Sequence, residues 1–489
     1  MTGNVHLKRE ACPIGGRWVT GDEWLEVDNP ATGEIIGRVP DFGEDATERA
    51  IAAAETAMPN WTRLTARERG RILRRVSDLM IENTDALARL MTAEQGKPLG
   101  EARGEIEYAA SFFEWFAEEG RRAYGEIIPP HQRDRRIFVL RHPIGVVAAI
   151  TPWNFPSAML TRKIAPALAA GCACVVKPAQ QTPFSALAIA VLAEDAGLPA
   201  GLLNIVTGRD SRAIGRVLTT SPIVRKLSFT GSTAVGSQLL AQSAPTIKKV
   251  SLELGGNAPF LVFDDADLSA AIEGAIQSKF RNAGQTCVCT NRFYVQDGIH
   301  DDFVAGLKSA MRNLHVGNGD APETAIGPLI ELTAVEKVED HVADALTKGA
   351  VLELGGRRHL AGERFFEPTL LTKVAPGMTV LAEETFGPLA AVVRFTDESE
   401  AVRLANDSEV GLASYVFTND ASRIWRVSEA LETGMVGANT GLISTEVAPF
   451  GGIKQSGLGR EGSRHGLDDY MEHKYICMAI GAAEAARAP

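Results

Sequence analysis

At 489 residues the chain is too long for one ordinary hydrophobic core, so two or three domains are expected. Its 45% hydrophobic and 23% charged residues are those of a soluble globular protein. Fifty basic against 61 acidic residues leave a net charge of −11 without long runs, which excludes a nucleic-acid or anionic-membrane partner and favours a small-molecule one.

The stretch Met1 to Glu10 is polar and has no apolar centre for a signal peptide. The most apolar stretches, such as Ala165–Val176, are short and broken by glycine, so no membrane span is expected. Six cysteines, at 12, 172, 174, 287, 289 and 477, make no disulfide framework and suit a reducing cytoplasm. Nine scattered histidines form no HExxH, and no CxxC pair exists, so no metal site is expected.

Ala66–Thr92 places Ile72, Leu73, Val76, Leu79 and Met80 at helical spacing, and Gly100–Glu119 continues in the same style. After Pro129-Pro130 the period changes. The run Arg136–Arg141 is strand-like and reads as an arm or hairpin. Residues 145–255 alternate regularly: strands at Gly145–Ile150, Cys172–Val176, Leu202–Val206, Lys226–Phe229 and Lys249–Leu254, with helices at Ser157–Ala170, Pro183–Ala196, Ser211–Thr219 and Ala234–Ser243. Such alternation implies a parallel sheet with right-handed crossovers.

Residues 256–455 alternate again, with helices near Ala266–Phe280, Asp301–Leu314 and Ala334–Lys348 among strands at Arg292–Val295, Val351–Leu354, Ala390–Phe395 and Ser414–Phe417. This predicts a second α/β domain. A last strand is expected at Lys474–Ile480, followed by a disordered Ala-rich tail from Gly481 to Pro489.

Just past the helix ending at Phe280 comes Arg281-Asn282-Ala283-Gly284-Gln285-Thr286-Cys287-Val288-Cys289. Cys287 sits there in a short polar loop, where substrate can reach a thiol and helix-end dipoles can act on it. The alternative is a core thiol behaving as a small hydrophobe. In a parallel sheet, ligands sit outside the carboxyl ends of the strands. Those ends carry Thr151-Pro152-Trp153-Asn154-Phe155-Pro156, Lys177-Pro178, Thr230-Gly231-Ser232-Thr233 opening a helix, and Glu253 before Gly255-Gly256. An amide, a lysine, a helix start suited to anions and a carboxylate thus share one edge, and a phosphate-bearing cofactor fits the lysine and the helix start. Gly457–Gly462 matches GxGxxG, but only 27 residues follow and no βαβ unit can be built there, so it reads as a turn. Gly231–Gly236 has Walker A glycine spacing, yet Ser237 stands where the lysine belongs, and no GxSxG elbow exists.

Seven segments in order resemble the aldehyde dehydrogenase superfamily: Pro152–Pro156, Lys177-Pro178, Phe229–Ser232, Glu253–Gly256, Gly284–Cys287, Glu383–Pro388 and Pro449–Gly452. The resemblance runs from about residue 15 to 480. It implies an α/β fold with a Rossmann-type dinucleotide-binding domain (1–122 and 144–255), a catalytic domain (256–455), and an arm and tail for oligomerisation (123–143 and 456–489) that would support a homodimer or homotetramer. Within the superfamily, Phe155–Lys163, Cys287-Val288-Cys289 and Phe450–Gly457 look most like the members that oxidise succinate semialdehyde, and relatives acting on glutarate semialdehyde share much of this pattern.

By that resemblance Cys287 attacks the aldehyde carbon, Asn154 and the Cys287 N–H form the oxyanion hole, and Glu253 activates the water that hydrolyses the thioester. Lys163 either positions Asn154 or stands in solvent. Arg162, Arg281 and Ser444 would hold a distal carboxylate, with Phe155 and Phe450 lining the substrate path. Thr151, Pro152, Trp153, Ala179, Gly231 and Leu254 would line the cofactor site. Lys177 would meet the adenine ribose, Ser232 the pyrophosphate and Glu384 the nicotinamide ribose, with Phe386 beside the ring. Gln180 takes the place where NAD-restricted members often carry an acidic residue, so NADP is expected to be accepted at least as well as NAD. Cys289 either resolves an oxidised Cys287 or is a packed core thiol.

Rivals of other kinds are an acylating dehydrogenase, a non-enzymatic relative and a thiol hydrolase. Glu253 argues against the first, Cys287 with Asn154 against the second, and the lack of a histidine partner for Cys287 against the third.

Overall fold

The computed structural model describes residues 7–480, so the tail expected to be disordered and most of Met1 to Glu10 lie outside the described residues. Two short antiparallel pairs, Cys12–Ile14 with Arg17–Val19 and Trp24–Asp28 with Ile35–Pro40, precede the helices. The helical stretch expected at Ala66–Thr92 is two helices, Ala66–Glu82 and Thr84–Gln95. A capping box between Thr65 and Glu68 starts the first, and Asn83, outside the helical region, separates them.

The first sheet has the order Gly457–Leu458, Lys249–Glu253, Val224–Thr230, Val146–Ile150, Ala173–Lys177, Leu203–Ile205. The last five are parallel, as their strand–helix alternation requires. Val146–Ile150, first of these in the chain, lies between Val224–Thr230 and Ala173–Lys177, so successive crossovers leave it on opposite sides. Its carboxyl end is therefore the topological switch point, where a crevice opens. Pairing sets Thr230 beside Glu253 and Ile150 beside Lys177.

The second sheet runs Val351–Leu354, Thr369–Thr372, Leu389–Phe395, Thr290–Gln296, Ala258–Val262, Ala413–Phe417, Met435–Ala438, parallel except at Val351–Leu354. Its core is aromatic, with Phe260 stacked on Phe417 at 4.7 Å between ring centroids. A third sheet forms the arm: Arg135–Pro143 pairs with Glu126–Ile128 on one side and antiparallel with Met471–Ala479 on the other.

The stretch expected to be all arm and tail from residue 456 divides differently. Gly457–Leu458 is an antiparallel edge strand of the first sheet, and Leu467, Tyr470 and Met471 pack into the first core. Only Met471–Ala479 joins the arm. Among the described residues, no helix is long and apolar enough to cross a membrane.

Candidate active site

The cysteine loop is built from strained backbone. Asn282, Ala283 and Gly284 follow one another with φ of 52°, 54° and 78°. Left-handed backbone costs a non-glycine residue about 1–2 kcal/mol, so Asn282 and Ala283 in succession need support. That support comes from both domains. Asn282 N donates to Glu101 Oε2 at 2.7 Å, and Gln95 Nε2 donates to Asn282 Oδ1 at 3.0 Å. The Gln285 side chain bridges Asn282 O and Ile330 N. Tyr415 Oη donates to Val288 O at 2.8 Å. Gly284 must be glycine, because a Cβ there would lie 2.2 Å from Gly387 O.

Cys287 emerges from this loop half-buried, lining a cavity of about 230 Å3 with Asn154, Glu253, Trp153, Thr230, Ser232, Glu384, Phe386 and Lys337. Desolvation pushes its thiol up to about 12. Arg162 opposes that rise, while the carboxylates of Glu384 and Glu253 reinforce it. Within the protein, desolvation thus favours the thiol over the thiolate.

Asn154 is buried, and its Nδ2 donates to Gln285 O at 3.1 Å. That bond uses one of its two amide hydrogens and orients the other. Its backbone oxygen accepts from Lys97 Nζ at 2.7 Å and from Asn282 Nδ2 at 3.0 Å. Lys97 is in turn paired with the buried Glu105, whose Oε1 accepts from Ser157 N and Ala158 N at the start of helix Pro156–Ala170. Lys97 and Glu105 escaped the sequence reading, since a lysine and a glutamate in a helical stretch look like solvated surface.

Glu253 is 2% exposed, and both its carboxylate oxygens lack a protein partner. Burial holds its carboxyl well above the usual range, and the neighbouring Glu461 adds to this, while Arg162 and Lys163 pull it back. Gly451 allows this packing, because a Cβ there would sit 2.9 Å from Glu253 Oε1.

Lys163 neither touches Asn154 nor meets solvent: it is fully buried and pairs with Glu461 Oε1. Arg162 is 1% exposed, pairs through Nε with Glu461 Oε2 and lies 4.3 Å over the Phe450 ring. Its Nη1 and Nη2 are buried without a partner. Arg281 lies 5.1 Å over the Phe155 ring, and Ser444 is half-buried in the loop before Phe450. Glu461 belongs to the Gly457–Gly462 stretch dismissed as a turn. The glycine pattern is indeed no dinucleotide fingerprint, but the segment delivers the counter-ion of two buried cations.

Cys289 has the other kind of surroundings. It is 2% exposed and its Sγ faces Lys279 O at 3.4 Å, with both cysteines free. These are the surroundings of a packed core thiol.

The crevice at the switch point fits a dinucleotide. Lys177 is buried and makes no ion pair or side-chain hydrogen bond, and desolvation lowers it to about 8. Thr230 Oγ1 is buried and unpaired. Such orphaned donors fit the hydroxyls and phosphates of a ligand. Gly231 and Ser232 open helix Thr233–Ser243, and Ser232 Oγ caps it by accepting from Val235 N. Thr151 N donates to Lys177 O, Ala179 and Gln180 follow half-buried, and Leu254 packs where Gly236 leaves room. Glu384 Oε1 accepts from Gly256 N at 3.3 Å, and burial raises its carboxyl to about 7. Phe386 meets the Trp153 ring edge-on, 5.6 Å between centroids, with Pro152 beside them.

A thiol, a carboxamide and a carboxylate without a hydrogen-bond partner around one cavity, beside a crevice that fits a dinucleotide, are the groups of a dehydrogenase. The chain matches the Aldehyde dehydrogenase family over residues 18–476. It is 61% identical over 477 residues to a glutarate-semialdehyde dehydrogenase of Pseudomonas aeruginosa, covering 97% of this chain and 99% of the relative. To the NADP-dependent succinate-semialdehyde dehydrogenase of Escherichia coli K12 it is 60% identical, over 97% of this chain and 99% of that one. The crystal structure of a succinate-semialdehyde dehydrogenase from Burkholderia pseudomallei superposes with a TM-score of 0.96 at 62% identity, covering 97% and 98% of the two chains.

The chain belongs to the aldehyde dehydrogenase family. It is an NAD(P)-dependent oxidoreductase acting on small aldehydes.

Proposed function

We propose that the enzyme oxidises a short semialdehyde bearing a distal carboxylate, succinate semialdehyde first and its glutarate homologue second. The observation that carries this reading is Arg162: a buried guanidinium beside the catalytic cavity with two terminal amino groups unpaired. A planar fork of that kind matches a carboxylate in bidentate fashion. Arg281 and Ser444 would complete the grip.

Cys287 Sγ, its proton released to solvent, attacks the aldehyde carbon, and Glu253, with both oxygens free, is kept as the base for the later hydrolysis. The alkoxide formed is met by the second hydrogen of Asn154 Nδ2 and by the Cys287 N–H, each donor contributing about 3–4 kcal/mol in comparable sites. Lys177, Ser232, Glu384 and Phe386 would hold the dinucleotide, whose nicotinamide serves as hydride acceptor. Glu253 then takes a proton from water, hydroxide adds to the thioester, and the Cys287 thiolate leaves. In sum one aldehyde and one water become a carboxylic acid, a hydride goes to the cofactor and a proton goes to solvent.

With Lys177 unpaired and neutral Gln180 nearby, no carboxylate repels a 2′-phosphate, and NADP is accepted at least as well as NAD. The arm supports a homodimer or homotetramer, since Ile127, Tyr475, Ile476 and Met478 are exposed on it. Six free cysteines suit a reducing cytoplasm. The deciding experiment assays carboxylated and neutral aldehydes of equal length with both cofactors. Higher kcat/KM for the carboxylated member, through a lower KM, is expected. Equal values would remove the proposed substrate class, and a hundredfold preference for NAD would overturn the cofactor reading.

A further inference from the structure

Tyr108 stands on helix Leu99–Glu119, which packs along Pro156–Ala170, the helix that carries Arg162. Its ring lies edge-on to Phe112, 4.9 Å between centroids. The phenolic oxygen is buried, the Arg162 guanidinium is near enough to donate to it, and its own proton has no acceptor within the chain. The charges that act on it most are the guanidiniums of Arg162 and then Arg281, both holding its pKa down against a burial that pushes it up to about 12. It therefore remains a neutral O–H at physiological pH.

Arginine carries donors only. A phenol facing Arg162 and Arg281 can accept from a guanidinium, but its own proton has no acceptor there. Buried donors left without partners are rare and costly, and a ligand is one recognised reason for keeping them. Tyr108 Oη and the Arg162 Nη1 and Nη2 groups are buried side by side, and none of them has an acceptor within the chain. What such a group lacks is an anionic acceptor.

We infer that Tyr108 is a specificity-determining residue whose hydroxyl donates to the distal carboxylate of the substrate, alongside the Arg162 fork. The inference rests on the semialdehyde reading above and adds a residue to it. Its chemistry explains the placement of a phenol: the oxygen shares the cationic field of two arginines without adding a third charge to be neutralised, and the proton fixes the orientation of the carboxylate.

The test is Tyr108→Phe, which keeps the ring on Phe112 and removes one O–H. Wild type and variant are assayed with succinate semialdehyde and with a neutral aldehyde of equal length. Competitive inhibition by succinate is measured in parallel, since it needs no turnover. A hydrogen bond to a charged group corresponds to a change of about tenfold or more. The expected result is a KM for succinate semialdehyde and a Ki for succinate each raised about tenfold or more, with kcat and the neutral aldehyde unchanged. Equal loss on both aldehydes, or no loss on either while wild type still favours the carboxylated one, overturns the role of Tyr108 and leaves the proposed substrate class standing. No preference in the wild type overturns the substrate class itself. A variant that melts well below wild type yet keeps its Ki for succinate assigns Tyr108 to packing alone and also overturns the inference.

Discussion

Glu461 holds together a cluster that would otherwise repel itself. Arg162 and Lys163 are adjacent, both buried, and both pair with its carboxylate, while Glu253 stands close enough for Glu461 to raise its pKa. The carboxylate that stays charged is Glu461, held below the usual range by Arg162 and Lys163 against the opposing pull of burial, and Glu253 is left the weaker acid. Two carboxyls in one site with pKa values pushed apart are what a proton-accepting residue needs. A base acts as its anion, so turnover limited by thioester hydrolysis should rise with pH through a pKa above the usual carboxylate range. Glu253→Gln should release one equivalent of reduced cofactor in a burst and then stall, and Cys287→Ser should show neither burst nor turnover while still binding cofactor. Steady turnover at the wild-type rate in either variant, measured by stopped-flow absorbance, would contradict these roles.

The thiol itself yields a second expectation. With Cys287 raised to about 12 by desolvation, the anion fraction in the cofactor-free enzyme grows roughly tenfold per pH unit below that value. Alkylation of the cofactor-free enzyme by a neutral reagent should therefore be slow at pH 7 and accelerate steadily through pH 10, followed by mass spectrometry at Cys287. A rate already at plateau by pH 8 would mean that the chain ionises this thiol unaided.

At the scale of elements, the cysteine loop and helix Pro156–Ala170 must meet at Asn154. The loop gets its shape from the left-handed run Asn282–Gly284, and Lys97 ties the Asn154 carbonyl to Glu105 at the helix start. Gly284→Ala should cost about 1–3 kcal/mol in backbone strain and more from the contact with Gly387 O, lowering the melting temperature and kcat together. Lys97→Met leaves Glu105 buried without its counter-ion, a loss of about 3–5 kcal/mol if it stays ionised. Its diagnostic sign is a larger fall in kcat than in cofactor affinity, because Asn154 loses its anchor while the crevice does not; equal falls would show general damage.

Most elements of both sheets were legible, because apolar runs between turn residues have strand length and the intervening helices have helical period. Ala258–Val262, Thr369–Thr372 and Met435–Ala438 escaped notice. Each is only four or five residues long, and Gly437 or flanking glycines and prolines give it the look of a loop. The long helix Glu44–Arg63 also went unread; it carries Pro59 inside it and no side-chain N-cap.

At the scale of the whole molecule, the arm pairs Arg135–Pro143 with Met471–Ala479 over nine consecutive positions and leaves apolar residues outward. Isolated three-stranded sheets with such a face need covering. Ile476→Asp together with Met478→Asp should shift the enzyme to smaller species in sedimentation velocity. An unchanged sedimentation coefficient would exclude the arm as the contact between subunits.

Besides the thiol of Cys287, whose loop precedes strand Thr290–Gln296 and was read from its own residues, the sequence by itself determined the set of groups at the carboxyl ends of the first sheet's strands: Asn154, Lys177, Ser232 and Glu253. Local pattern suffices there, because strand direction and crossover handedness oblige those residues to share one edge. Only the tertiary structure decided which charges are buried and with whom. Lys163 and Glu461 are 298 residues apart in the chain, and Lys97 and Asn154 are 57 apart. In sequence Lys97, Lys163 and Glu461 each look like solvated charges, and the desolvation that makes them partners of the site's groups exists only once the chain has folded around them.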